Sequence, residues 1–62
     1  MLIKQKRLQR NLTQQQLSDL VNTKRNNITR YENGTREPDV KTLKRLAKAF
    51  GCTVDELISD EE

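Results

Sequence analysis

Between Leu12 and Gly34 the chain reads LTQQQLSDLVNTKRNNITRYENG. Two short amphipathic stretches flank a polar break, and no other feature narrows the fold as far. In the first stretch Leu17, Leu20 and Val21 recur at helical spacing and are expected to form its buried face. Thr13 followed by Gln16 has the spacing of a capping box, which sets the start of that helix. Asn22 and Thr23 make the break: Asn accepts turn geometry, and the Thr23 hydroxyl is expected to cap the next helix. That helix runs from about Lys24 to Glu32, with Ile28 and Tyr31 spaced i, i+3 toward a core. At about 100° per residue, Arg25, Asn26, Thr29 and Arg30 then share its outer face.

The rest of the chain is punctuated in the same manner. Residues 2–10 can form a first helix with Leu2, Ile3 and Leu8 apolar and no obvious N-terminal cap. Arg7 lies one turn from Ile3, so it is either an ordinary surface arginine or an inward one with a carboxylate partner. Asn11 suits a left-handed helix end. Asn33-Gly34 stops the third helix, and a loop from Thr35 to Pro38 follows. Asp39 caps the longest helix, whose stripe is Val40, Leu43, Leu46, Ala47 and Phe50. Gly51 ends it, and Thr53 with Glu56 starts a last short helix carrying Val54, Leu57 and Ile58. The expected fold is all-α, a compact bundle of five helices in one domain over residues 1–58, with a frayed acidic tail at 59–62.

Charge is distributed unevenly. Residues 1–50 hold all 12 Lys and Arg against four acids, net +8, while residues 51–62 hold five acids and no base. A basic body favours polyanions through counterion release, although a basic face can also serve solubility alone. The absence of His removes the commonest general base near neutral pH, and with one Cys no ordinary zinc site can be assembled. Cys52 follows a glycine and precedes a cap, a place that suits a packed thiol better than a nucleophile. Paired carboxylates and a glycine-rich phosphate loop are also missing. No enzyme activity, metal, cofactor, small-molecule ligand or membrane contact is expected. The N-terminus never reaches the apolar core of a signal peptide, so a cytoplasmic protein is expected.

The outer face of the third helix has a chemistry of its own. An α-helix fits the major groove of B-DNA, where Arg donates two bonds to guanine and Asn pairs in a bidentate way with adenine. The bland alternative is a polar surface helix, whose ordinary composition includes the same residues.

At this level the sequence resembles the lambdoid phage repressor and Cro type of helix-turn-helix, found among bacterial and phage transcription regulators. The resemblance rests on Leu12-Thr13-Gln14, Leu17, Val21, Ile28, Arg30, Tyr31 and Glu32-Asn33-Gly34. It continues through Pro38, Leu43 and Ala47 and into Phe50-Gly51-Cys52-Thr53-Val54-Asp55-Glu56-Leu57. It departs from the family at Asn22, where Gly is usual, at Thr23, where a small apolar residue is frequent, and at Ser18, where Ala is familiar. None of these lies on the reading face.

The resemblance implies a sequence-specific regulator of transcription that binds double-stranded DNA, a repressor acting as a homodimer on a palindromic operator. Arg25, Asn26, Thr29 and Arg30 would read bases. Gln14, Lys24, Asn27, Asn33 and Arg36 would contact the DNA backbone or the edge of the site. Arg7 would pair with Glu32 to fix the first helix against the third. Val54, Leu57 and Ile58, with the loop from Thr35 to Pro38, are the candidates for dimer contacts. A compact Cro-like switch protein and the DNA-binding part of a longer repressor both fit. The rival reading is a helical protein-interaction module, such as an antitoxin-like partner protein, built on the same fold.

Overall fold

A computed structural model describes residues 1–58. The order is α1 (Ile3–Gln9), α2 (Gln14–Leu20), α3 (Arg25–Asn33), α4 (Val40–Phe50) and α5 (Val54–Ile58), with no strand among the described residues. The proposed acidic tail at 59–62 lies outside the described residues.

The first four helices stop in one way. Asn11, Asn22, Gly34 and Gly51 all take positive φ, at 57°, 57°, 79° and 68°. After each, the chain folds back so that two amides bond to carbonyls of the last turn, the Schellman arrangement. Leu12 N donates to Arg7 O and Thr23 N to Ser18 O, at 3.1 and 2.9 Å. Thr35 N donates to Arg30 O and Cys52 N to Ala47 O, at 3.0 and 2.9 Å. Asn does at two of these corners what Gly does at the others, because its short amide side chain tolerates the left-handed region.

Helix starts are equally explicit. Thr13 and Gln16 form a reciprocal capping box on α2, and Thr53 and Glu56 bond in the same reciprocal way ahead of α5. Asp39 accepts from Thr42 N at 2.8 Å to cap α4. Nothing caps α1 through a side chain. Instead Leu2 N donates to Leu57 O at 2.9 Å, so the chain's first turn is held by its last helix. The Thr23 cap is corrected: α3 begins one residue later, after Lys24, with no side-chain cap. The Thr23 hydroxyl instead accepts from the Asn27 side chain at 3.0 Å.

The core is Ile3, Leu17, Val21, Ile28, Tyr31, Leu46, Ala47, Phe50 and Leu57, with Leu12, Leu43, Ala49 and Cys52 packed at its margin. Two expected core residues are outside it. Leu20 is 61% exposed, because α2 turns the side carrying Leu17, Ser18 and Val21 inward. Ser18 tolerates this burial by donating to Gln15 O at 2.7 Å, so no polar atom is stranded. Val40 is 67% exposed, since the first turn of α4 projects beyond the core and the stripe is fully buried only from Leu46 onward. Leu8 is also exposed. Among the described residues, no helix is long and apolar enough to cross a membrane.

Candidate nucleic-acid interface

The outer side of α3 is positioned from beneath by Ile28, fully buried, and Tyr31, nearly so. Helical geometry then leaves Arg25, Asn26, Arg30 and Asn33 exposed and Thr29 half-buried at the α2 side. Arg25, Asn26 and Arg30 project freely; Thr29 is tied down. Its hydroxyl lies 3.1 Å from Gln14 Oε1 and 3.3 Å from Arg25 O.

Gln14, the first residue of α2, is half-buried and belongs to a partly buried network. Its Nε2 donates to Glu32 Oε1 at 3.0 Å. Glu32 in turn accepts from Arg7 Nε at 2.7 Å and from Nη2 at 3.4 Å, and Arg7 Nη1 donates to Leu12 O at 2.7 Å. The side chains of Arg7 and Glu32 are 10% and 4% exposed. One guanidinium therefore joins α1, the corner before α2, and α3. A Gln amide nitrogen carries two hydrogens, so the bond to Glu32 leaves Gln14 one donor for an outside acceptor.

At the other end of α3 a second polar chain runs through Asn27, half-buried. Its amide donates to Thr23 Oγ1 at 3.0 Å and accepts from Arg36 Nη1 at 2.9 Å. The surface here is an open depression of about 540 Å³ lined by Asn22, Thr23, Lys24, Asn26, Asn27, Arg30 and Arg36. Its lining contains three cations and no acid, an environment for a phosphate group. Asn22, read from sequence only as a turn residue, is part of this lining. Nothing in the sequence pairs Gln14 with Thr29, since that contact depends on the angle at which α2 and α3 cross.

The three proposed dimer residues separate on the surface. Leu57 is fully buried in the protomer's own core, so its side chain is not available to a partner. That corrects its expected role: the inward side of α5 is fixed by packing on α4. Val54 is half-buried and Ile58 is 41% exposed. Among the described residues no group of His, Cys, Asp or Glu could hold a metal ion.

The sequence profile of a family described as helix-turn-helix matches residues 3–57. The chain is 40% identical over 60 residues to the HTH-type transcriptional activator BcrR of Enterococcus faecalis, covering 97% of this chain and 29% of that protein. It is 35% identical over 60 residues to the cryptic phage CTXphi transcriptional repressor RstR of Vibrio cholerae, covering 97% of this chain and 54% of that one. It is 44% identical over 45 residues to the competence pilus inhibition repressor of Acinetobacter baylyi, covering 73% and 41%. The chain thus spans about half or less of the length of these relatives. No solved structure matches significantly. With α2 and α3 packed about the Asn22 corner and the family profile covering nearly the whole bundle, the chain belongs to the Cro/repressor-type helix-turn-helix family of transcriptional regulators.

Proposed function

We propose that this protein is a repressor that binds an operator in double-stranded DNA as a homodimer, with α3 in the major groove. The observation that carries the reading is the outer face of α3, where Arg25, Asn26 and Arg30 stand free beside an acid-free depression rimmed by Lys24 and Arg36. Arg25, Asn26, Thr29 and Arg30 read bases, and Gln14, Lys24, Asn27, Asn33 and Arg36 hold backbone or edge contacts. Two protomers about 34 Å apart set two copies of α3 into successive major grooves. Val54 and Ile58, with the exposed Thr35, Arg36 and Glu37 of the loop, are the surfaces offered to the second copy, whereas Pro38 at the end of that loop is buried like Leu57. Repression accords with the names of two of the relatives above, the RstR repressor and the competence pilus inhibition repressor.

Selection of binders from a randomised DNA pool gives the site, its symmetry and its half-site spacing together. On the selected site, Arg25→Ala is expected to weaken binding about 5- to 150-fold, the equivalent of ~1–3 kcal/mol. Random DNA should lose much less. Equal losses on both would remove Arg25 from base reading.

A further inference from the structure

We infer that the buried Arg7–Glu32 pair, acting through Gln14, fixes Thr29 as a hydrogen-bond acceptor toward DNA, so that Thr29 stands over the amino group of its base pair. This rests on the base-reading role proposed for α3 and specifies its chemistry at one position.

A carboxylate only accepts, so whichever end of the Gln14 amide faces Glu32 must be its nitrogen. The observed contact is Nε2 to Oε1 at 3.0 Å. Turning the amide over would place two oxygens against each other, in a site where Glu32 is held by Arg7 at 2.7 Å. The carbonyl oxygen of Gln14 is therefore directed at Thr29, whose hydroxyl lies 3.1 Å away. Oxygen Oε1 cannot donate, so the hydroxyl proton must lie between them. The alternative partner of that proton, Arg25 O at 3.3 Å, is also an acceptor inside the protein. Both arrangements send the single proton of Thr29 inward and leave only lone pairs for the groove.

In the major groove the donors are the exocyclic amines, N6 of adenine and N4 of cytosine, whereas O6 of guanine and O4 of thymine accept. Every pair carries one of each, on opposite strands. Thr29 therefore selects the orientation of the pair and repels the keto end. Arg7, Glu32 and Gln14 are positioning residues here, since none needs to touch the base to set this polarity.

Base analogues test the idea, because exchanging whole pairs changes both groups at once. On the site selected from a randomised pool, half-site positions are replaced singly. Adenine becomes purine, and cytosine becomes pyrimidin-2-one, each without its amine. Guanine becomes 2-aminopurine, and thymine becomes 5-methylpyrimidin-2-one, each without its keto oxygen. At one position, loss of the amine should weaken the wild type about three- to tenfold, the size of one neutral hydrogen bond. The isosteric Thr29→Val protein should bind both duplexes within about twofold of each other. Gln14→Met leaves the longer contact to Arg25 O, at 3.3 Å, as the sole inward partner of that proton, so its hold on the hydroxyl weakens and the wild-type discrimination should narrow. A loss that depends on Thr29 upon removing a keto oxygen, or no such loss at any position, overturns the inference. Undiminished discrimination in Gln14→Met overturns the relay from Glu32. Enrichment of a motif with no Thr29 coupling sinks this inference alone, while failure to enrich any motif sinks the DNA-binding reading with it.

Discussion

Arg7 is placed inward by its spacing from Ile3, and its guanidinium meets Glu32 across a sequence separation of 25 residues. Taking both charges out of water is costly, so the pair is not a large net stabiliser relative to an apolar pair of equal volume. Its effect is to make one docking of α1 on α3 far better than its neighbours, because any slip strands a charge. Arg7→Ala should leave the Glu32 carboxylate with Gln14 as its remaining side-chain partner and cost ~3–5 kcal/mol. Total stability for a chain of this size is on the order of 3–9 kcal/mol, so the variant should lose at least about a third of it. Urea unfolding followed by circular dichroism checks this. A loss below ~1 kcal/mol would show that the pair does not fix the docking. The spacing of Arg7 from Ile3 leaves a surface and an inward position both open in the sequence; the inward one and the partner Glu32 follow from the family resemblance. Arg10, whose Nη2 donates to Phe50 O at 2.6 Å and so satisfies the end of α4, leaves no comparable local sign.

At the level of helices, the ends are more legible than the faces. Asn11, Asn22, Gly34 and Gly51 act through their own backbone preferences, and Thr13, Asp39 and Thr53 through neighbours three residues on. Such effects are complete within a few residues of sequence. Which side of a helix faces inward depends on what it packs against, and there Leu20 and Val40 depart from their periodicity. The contact of Gln14 with Thr29 has the same origin. The caps also carry a pH dependence. Asp39 is held below the ordinary Asp range chiefly by its side-chain hydrogen bond with Thr42, then by the Thr42 amide, with Lys41 and Arg36 assisting. Glu56 is lowered by the Thr53 amide first, then by its hydroxyl and by Lys6. A folded-state pKa below the unfolded one means that the caps stabilise above the unfolded values of about 4. The contribution is lost as pH falls through the lower, folded values. Asp39→Asn combined with Glu56→Gln keeps hydrogen-bonding caps but removes the titration. The wild type should be the more stable at pH 7, and the difference should vanish as pH falls below about 4. A difference independent of pH, in thermal melts across that range, would assign the caps' effect to hydrogen bonding alone.

For the whole molecule, the arrangement of charge matters more than its total. The first 50 residues carry net +8, and Lys24, Arg25, Arg30 and Arg36 fall at the start of α3, along it and in the loop after it. The internal acid of α3, Glu32, is neutralised by Arg7 rather than opposing this field. The apolar core fixes the angle at which the face is presented, and the polar networks behind Thr29 and Asn27 hold its two ends. If this face binds DNA, counterions leave the duplex for each phosphate neutralised, and log K falls against log salt with slope about −0.9 per contact. Fluorescence anisotropy with mixed-sequence duplex at about 50 and 200 mM salt measures this directly. The expected result is binding at low salt that weakens tens of fold at the higher concentration, with Lys24→Ala shallower in slope by about one. No detectable binding at low salt, or an affinity indifferent to salt, would contradict the assignment of this face to DNA.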